Sequence, residues 1–143
     1  MDIRAYKQIF LCGNGGSAAN ATHIANDLIS VGIRAHSLTA DVATLTAIAN
    51  DFDYEEVFSR QLEVLSDPGD LLVLLSGSGS SPNILEAART GLARGLYVLG
   101  IFGEFGLNQA IQFCDAYVTQ GKTMQEAEEY QLVWGHQWLA KKT

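Results

Sequence analysis

The sequence predicts an α/β protein in which a parallel β-sheet lies between two layers of helices. Residues 71–75 are all Leu or Val with no polar alternation, which is typical of a strand buried on both faces. Apolar runs of this kind alternate along the 143 residues with segments of helical spacing. Such alternation is typical of βαβ units, so the strands are expected to be parallel.

The elements follow one another at the short intervals that this fold class requires. One predicted helix, 54–65, has apolar residues at helical spacing. They should form its buried face, and they lie at positions 54, 57, 58, 62 and 65. The five predicted strands are 8–12, 33–38, 71–75, 96–102 and 116–118. The predicted helices are 18–29, a helix from its N-cap Asp41 to about residue 50, 54–65, 82–94, 107–113 and 123–141.

The composition is that of one globular domain covering 1–143. Hydrophobic residues make up 48% and charged residues 17% of the chain, which is not the composition of a disordered protein. The formal net charge is −7, and basic residues cluster only at Lys141–Lys142. A non-specific nucleic-acid binder is therefore not expected, and an anionic ligand would have to be held by backbone and hydroxyl groups.

The two cysteines indicate a cytoplasmic protein. Cys12 and Cys114 lie at the ends of apolar runs without CxxC spacing, so both are expected to be buried thiols. The sequence contains no signal-peptide pattern and no apolar run near 18 residues. No membrane association is expected.

The loop 76–81 joins the carboxyl end of the central strand to a helix. Pro82 suits the first helical position, with Ser81 as N-cap. Unpaired N–H groups and the positive end of the helix dipole converge there, and Ser76, Ser78 and Ser81 add three hydroxyls. The loop is therefore predicted to bind phosphate.

A second glycine loop, 13–17, follows the first strand. Its spacing is not the GxGxxG of dinucleotide-binding proteins, and it lacks the Lys of a P-loop. By itself it is as compatible with a tight turn as with a ligand site. Because the carboxyl ends of parallel strands share one edge of the sheet, both loops should lie together and face a common polar ligand.

Three stretches carry a resemblance to a known family. Residues 13–19 (GNGGSAA), 49–52 (ANDF) with 58–60 (FSR), and 76–83 (SGSGSSPN) resemble the sugar isomerase (SIS) domain, and within it the phosphoheptose isomerase group. The resemblance implies a three-layer αβα sandwich with a five-stranded parallel sheet, flavodoxin-like or Rossmann-like. It also implies a homotetramer with sites at subunit interfaces. If the intact fold needs an N-terminal helix before the first strand, this chain lacks it.

The resemblance assigns binding residues for a sugar phosphate. It places Ser76, Ser78 and Ser81 on the phosphate. In the first loop it places Asn14, Gly15 and Ser17 against the ligand. In this phosphate loop the family commonly has Thr where this chain has Gly77.

His23 and Asp27 lie four residues apart, so their side chains leave the same face of a helix. That spacing suits metal ligands or an acid–base pair, but a packed imidazole beside an exposed carboxylate has the same spacing. Likewise, His136 could simply pack between Trp134 and Trp138. The resemblance implies instead that His23, Asp27, Glu128 and His136 hold a zinc ion, with Glu128 in place of the usual Gln.

The activity that the resemblance implies is aldose–ketose isomerisation, converting sedoheptulose 7-phosphate to D-glycero-D-manno-heptose 7-phosphate. Asp27 would be the catalytic base, His136 the acid, and Asp51 a carboxylate that holds substrate hydroxyls. The chain has Gln125 and Gln131 where the family often has Asp and His. These departures leave open a non-catalytic phosphosugar-binding or regulatory protein, including the kind that associates with a replication initiator.

Overall fold

The computed structural model describes residues 1–140, which form a five-stranded parallel sheet with helices on both faces. The strand order is β2-β1-β3-β4-β5. The strands are β1 (Ile9–Cys12), β2 (Ala35–Ser37), β3 (Leu71–Ser76), β4 (Tyr97–Phe102) and β5 (Ala116–Thr119). The predicted fold class and all five strands are confirmed, and only β2 is clearly shorter than expected.

Two layers of helices cover the sheet. The side chains of a strand alternate between its two faces, and every residue of β3 is buried, so this central strand is covered on both sides. The helices are α1 (Gly16–Ser30), α2 (Val42–Asp51), α3 (Ser59–Leu65), α4 (Pro82–Ala93) and α5 (Met124–Ala140). α1 and α5 pack on one face, and α3 and α4 pack on the other.

The predicted helix 54–65 is interrupted in the structure. A 3-10 turn at Tyr54–Glu56, capped by Asp53, precedes α3. Of the five apolar positions, Val57, Phe58 and Leu62 are buried, whereas residues 54 and 65 are exposed. The predicted helix at 107–113 is a 3-10 helix (Gln109–Phe113), and Lys141, the predicted last residue of α5, lies outside the described residues.

The cysteines follow the prediction only in part. Cys12 is fully buried, and burial raises the pKa of its thiol. Cys114 is half-buried, and burial together with the neighbouring Asp115 carboxylate raises its pKa to about 12. Neither thiol forms a disulfide. Within residues 1–140, no helix combines the length and hydropathy needed to cross a membrane.

The order of the strands fixes where a ligand can bind. The chain moves from β1 outward to β2, then returns across β1 to β3 on its other side. This reversal opens a crevice at the carboxyl ends of β1 and β3, the usual position for ligands in open α/β sheets. The loops 13–15 and 77–81 follow these two strands, so they flank the crevice.

Candidate active site

The serine loop is folded on its own hydroxyls. Ser76 Oγ accepts a hydrogen bond from the backbone N–H of Gly79 (3.0 Å), and Ser78 Oγ accepts one from Ser80 (3.2 Å). Each hydroxyl oxygen is used as an acceptor, which leaves its hydrogen as a donor. Ser81 is the N-cap residue of α4, as predicted, but its side chain makes no capping bond. All three predicted serines can therefore donate to an anion.

The carbonyl groups of the same loop are occupied by another segment. Residues 103–110, which follow β4, run alongside the serine loop. Backbone N–H groups of this segment donate to three successive loop carbonyls: Gly103 to Gly77 (3.0 Å), Asn108 to Ser78 (3.0 Å) and Ala110 to Gly79 (2.9 Å). These carbonyl oxygens, which would repel an anion, are thus hydrogen-bonded to protein N–H groups. Such an arrangement favours the binding of phosphate to the loop.

The helices that start at the crevice lack side-chain caps. The N-cap residues of α1 and α4 are Gly15 and Ser81, and neither makes a side-chain capping hydrogen bond. Gly15 has φ +56°, a conformation that favours glycine. By contrast, Asp41 caps α2 as predicted, its carboxylate accepting from the N–H of Ala43 (3.0 Å). The N–H groups at the start of α4 remain available to a bound anion, whereas at the start of α1 the Ser17 N–H already donates to Asn14 O (3.0 Å).

The first loop is tied to the second by a pair of side-chain amides. Asn14 Nδ2 donates to Asn83 Oδ1 (2.8 Å), and Asn83 Nδ2 donates to Asn14 Oδ1 (2.8 Å). Tyr54 Oη also donates to Asn14 Oδ1 (2.9 Å). Asn83 belongs to the third family-like stretch but had no predicted role, because no local pattern indicates a partner 69 residues away.

Ser17 lies beneath the first loop and not on its surface. It is 3% exposed, and its hydroxyl accepts a hydrogen bond from Gln131 Nε2 (3.0 Å). Gln131 Oε1 in turn accepts from Asn20 Nδ2 (2.9 Å). Gln131, where the resemblance would place a His, thus links α5 to α1 through one donated and one accepted hydrogen bond, and no pattern in the sequence indicates this network.

A cavity of about 590 Å³ opens between the first loop and α1. Asn14 and Gly15 line it, together with His23, Tyr54 and Thr39. The serine loop borders this crevice through the Asn14–Asn83 pair without lining the cavity itself. Its predominantly apolar walls, with a few polar groups, are typical of small-molecule sites.

Another cavity of about 590 Å³ lies near the start of α5. Its walls carry three carboxylates, from Glu104, Glu126 and Glu129, against the single ammonium group of Lys122. This excess of negative charge opposes the binding of a phosphate group. The cavity at the first loop is therefore the better candidate for an anionic ligand.

His23, which lines the cavity with Asn14 and Gly15, forms a cluster with Asp27 and His136. Asp27 Oδ2 lies 3.2 Å from His23 Nε2 and 3.5 Å from His136 Nε2, and the two imidazole nitrogens are 3.2 Å apart. Tetrahedral zinc, with bonds near 2.1 Å, holds its donor atoms about 3.3–3.5 Å from one another. The nitrogen and oxygen donors and their spacing therefore fit a zinc ion.

The other two predicted residues lie elsewhere. Glu128 does not belong to this cluster: its carboxylate covers Gly16 at the first turn of α1, where a Cβ would collide with it. The cause is helical rise, because Glu128 precedes His136 by eight residues, or about 12 Å of helix. Asp51 is exposed at the end of α2, accepts a hydrogen bond from Asn50 (2.9 Å), and does not line the cavity.

Close packing of α1 and α5 brings the cluster together. The two helices run parallel, with contacts that recur every three or four residues along both. Gly135 allows this approach, since a Cβ there would lie 2.6 Å from Ile24 Cγ1. His136 follows directly, so the glycine places its imidazole against Asp27 on α1.

Comparisons with known proteins agree with this fold. The family model of the SIS domain matches residues 1–103. Two solved structures superpose closely: phosphoheptose isomerase from Neisseria gonorrhoeae has a TM-score of 0.87 at 32% identity, covering 96% of this chain and 78% of the other. Phosphoheptose isomerase from Francisella tularensis has a TM-score of 0.84 at 27% identity, covering 93% of this chain and 73% of the other. The chain belongs to the SIS domain family.

Relatives by sequence narrow the membership to one group. A phosphoheptose isomerase from Burkholderia pseudomallei is 41% identical over 136 residues, covering 90% of this chain and 68% of the relative. One from Thiobacillus denitrificans is 43% identical over 117 residues, covering 78% and 59%. Within the SIS family this chain is grouped with the phosphoheptose isomerases, and it spans about three fifths to two thirds of the lengths of these two relatives.

Proposed function

We propose that the protein is an aldose–ketose isomerase that converts sedoheptulose 7-phosphate to D-glycero-D-manno-heptose 7-phosphate. The observation that carries the proposal is the His23–Asp27–His136 cluster, whose member His23 also lines the cavity at the first loop. The relatives named phosphoheptose isomerase support the choice of substrate. A cytoplasmic location accords with two unpaired thiols.

The proposal assigns the phosphate to the serine loop. Hydroxyl hydrogens of Ser76, Ser78 and Ser81 and the uncapped N–H groups of α4 would donate to its oxygens. Asn14 and Gly15 would border the sugar, because they line the adjoining cavity. Ser17 is assigned a supporting role beneath this loop, since it is buried and bonded to Gln131.

His23, Asp27 and His136 would hold a zinc ion, which would supply a positive charge that polarises the sugar oxygens. Asp27 directs Oδ2 toward both imidazoles, so Oδ1 is its oxygen for proton transfer. Asp27 removes a proton from C1 of the ketose; the C1–H electron pair forms the C1–C2 double bond and the C2 carbonyl electrons move to O2, which gives an enediolate. The O1 proton then passes to O2, so that C1 becomes the carbonyl carbon as C2 takes up a proton. His136 contributes Nε2 to the cluster, so Nδ1 is the nitrogen from which it would deliver a proton at the neighbouring position.

The test is incubation of zinc-loaded protein with sedoheptulose 7-phosphate, followed by chromatographic detection of the aldose phosphate. Asp27→Asn should lower turnover on the order of 10³-fold, because the amide cannot accept the proton. Its affinity for inorganic phosphate should stay within about threefold of wild type, since the serine loop is unchanged. Saturating substrate without any aldose product from the wild type would contradict the proposal and favour a non-catalytic phosphosugar-binding protein.

We also propose that the protein works as a homotetramer with sites near subunit interfaces. α2 supports this: it is rich in apolar residues, yet none of its residues is buried in the single chain. Val42 is 70% exposed, and Phe52, just past the helix, is 57% exposed. Asp51 ends this helix, so a role in holding substrate would require a site shared with a second copy. Light scattering on protein eluting from a size-exclusion column should give the molar mass of four chains. The molar mass of a single chain at micromolar concentration would contradict the proposal.

A further inference from the structure

The reciprocal amide pair of Asn14 and Asn83 joins the first glycine loop to the first turn of α4, the helix that directly follows the serine loop. Asn83 lies in the first turn of α4 and is 2% exposed, so its bonds are shielded from water. Asn14 belongs to the loop after β1. The pair therefore spans the crevice between β1 and β3 at the point where a ligand would enter.

Counting donors and acceptors shows what Asn14 can still offer. Its Oδ1 already accepts two hydrogen bonds, from Asn83 Nδ2 (2.8 Å) and Tyr54 Oη (2.9 Å). Its Nδ2 donates one bond to Asn83 Oδ1 and keeps one N–H. Asn14 can thus give a ligand one donor and no acceptor. Most of its hydrogen-bonding capacity holds the loops together.

We propose that Asn83 is a positioning residue, which with Tyr54 holds Asn14 and thereby keeps the two loops at the separation that a phosphosugar requires. The inference rests on the proposed function for the identity of the ligand. Asn83 does not need to touch the ligand. Its bonds set the loop geometry before binding, so that the ordering cost is not incurred when phosphate arrives.

The experiment compares Asn83→Ala with a matched control, Ser66→Ala. Ser66 is also 2% exposed, and its hydroxyl also takes part in two hydrogen bonds, accepting from Arg94 Nε (2.9 Å) and donating to Leu62 O (2.6 Å). It lies at the opposite edge of the sheet, before β3. Both variants thus remove the two side-chain hydrogen bonds of a buried residue, but only Asn83→Ala affects the loops.

Calorimetric titration with inorganic phosphate is the first measurement. The dissociation constant should rise about tenfold in Asn83→Ala and stay within about twofold in Ser66→Ala. Tyr54→Phe removes only an exposed hydroxyl and should raise the dissociation constant about threefold. If Asn83→Ala does not fold, Tyr54→Phe alone tests the proposal. An unchanged affinity of Tyr54→Phe for phosphate would then overturn it.

Hydrogen exchange of the ligand-free protein is the second measurement. Amides in 13–17 and 77–81 should exchange faster in Asn83→Ala than in wild type or Ser66→Ala. Unchanged exchange in both loops overturns the proposal whatever the phosphate result. Neither readout uses turnover, so a wild type that binds phosphate without forming aldose would refute the isomerase and leave this test intact. Where turnover is present, Asn83→Ala should raise KM about tenfold and change kcat less than about threefold.

Discussion

Gly77 shows how one residue fits the serine loop to its neighbours. A Cβ at this position would lie 2.5 Å from Met124 Sδ and 3.0 Å from Phe105 Cζ. The position that commonly carries Thr in the family is therefore covered here by a thioether and an aromatic ring. A hydroxyl is lost from the loop, and a larger side chain could enter only if the Met124 side chain moved aside.

At the residue scale we expect Gly77→Thr to weaken phosphate binding instead of adding a donor. The Thr side chain would displace Met124 or distort the loop, which should destabilise the protein by about 1–3 kcal/mol. Calorimetric titration with phosphate should show a loss of roughly three- to tenfold. Gly77→Thr with Met124→Ala supplies the missing space and should recover most of the affinity. Tighter binding by the single variant would show that Met124 does not restrict the loop.

At the element scale, the contact between α1 and α5 determines whether the His–Asp cluster exists. α1 carries His23 and Asp27, and α5 carries His136. Between these elements, Asn20 donates to the Glu128 carbonyl oxygen (2.9 Å) and to Gln131 Oε1 (2.9 Å), which fixes their register. The cluster is thus a product of helix packing and not of either helix alone.

Gly135→Ala tests this dependence. The added methyl would collide with Ile24 and push α5 away from α1, at a cost of about 1–3 kcal/mol in the free energy of unfolding. Because His136 is the next residue, zinc affinity should fall at least about tenfold. Competition with a chromogenic chelator measures the affinity. In the size-swapped Gly135→Ala/Ile24→Ala variant the zinc affinity should return toward that of the wild type. An unchanged zinc affinity in Gly135→Ala would contradict the packing argument.

The elements differ in how well local sequence predicts them. β3 was predictable because five apolar residues in a row suit a fully covered strand. The helix break near Val57 was not predictable, since its apolar spacing continues through the break. Asp53, directly before the pattern, accepts a hydrogen bond from the N–H of Glu55 (3.1 Å) and caps a separate 3-10 turn. A capping interaction there overrides the helical periodicity, and the spacing of apolar residues does not reveal that it will.

At the scale of the whole molecule, the sequence is a good guide to the residues that lie at the crevice. It is a poor guide to the contacts that those residues make with one another. The loops at 76–81 and 13–17 follow from where strands end and helices begin, a local property of the chain. The pairing of Asn14 with Asn83 spans 69 residues, and that of His23 with His136 spans 113. Such pairs depend on the strand order and on helix packing, whereas the separation of Glu128 from His136 follows from their spacing of eight residues on one helix.

Zinc binding should depend on the whole α1–α5 pair and not on Glu128. Chelator-treated protein should bind one zinc ion per chain and show a higher melting temperature with zinc, because the ion joins two helices that are distant in sequence. His23→Ala and Asp27→Ala should each lose about 100-fold or more in affinity, since each removes one of three donors. Glu128→Gln should stay within about threefold of wild type, because its carboxylate covers Gly16 at the start of α1. Loss of the favourable interaction between that carboxylate and the helix dipole should cost only about 0.3–1 kcal/mol. A large loss of zinc affinity in Glu128→Gln would mean that the carboxylate moves to join the ion on binding.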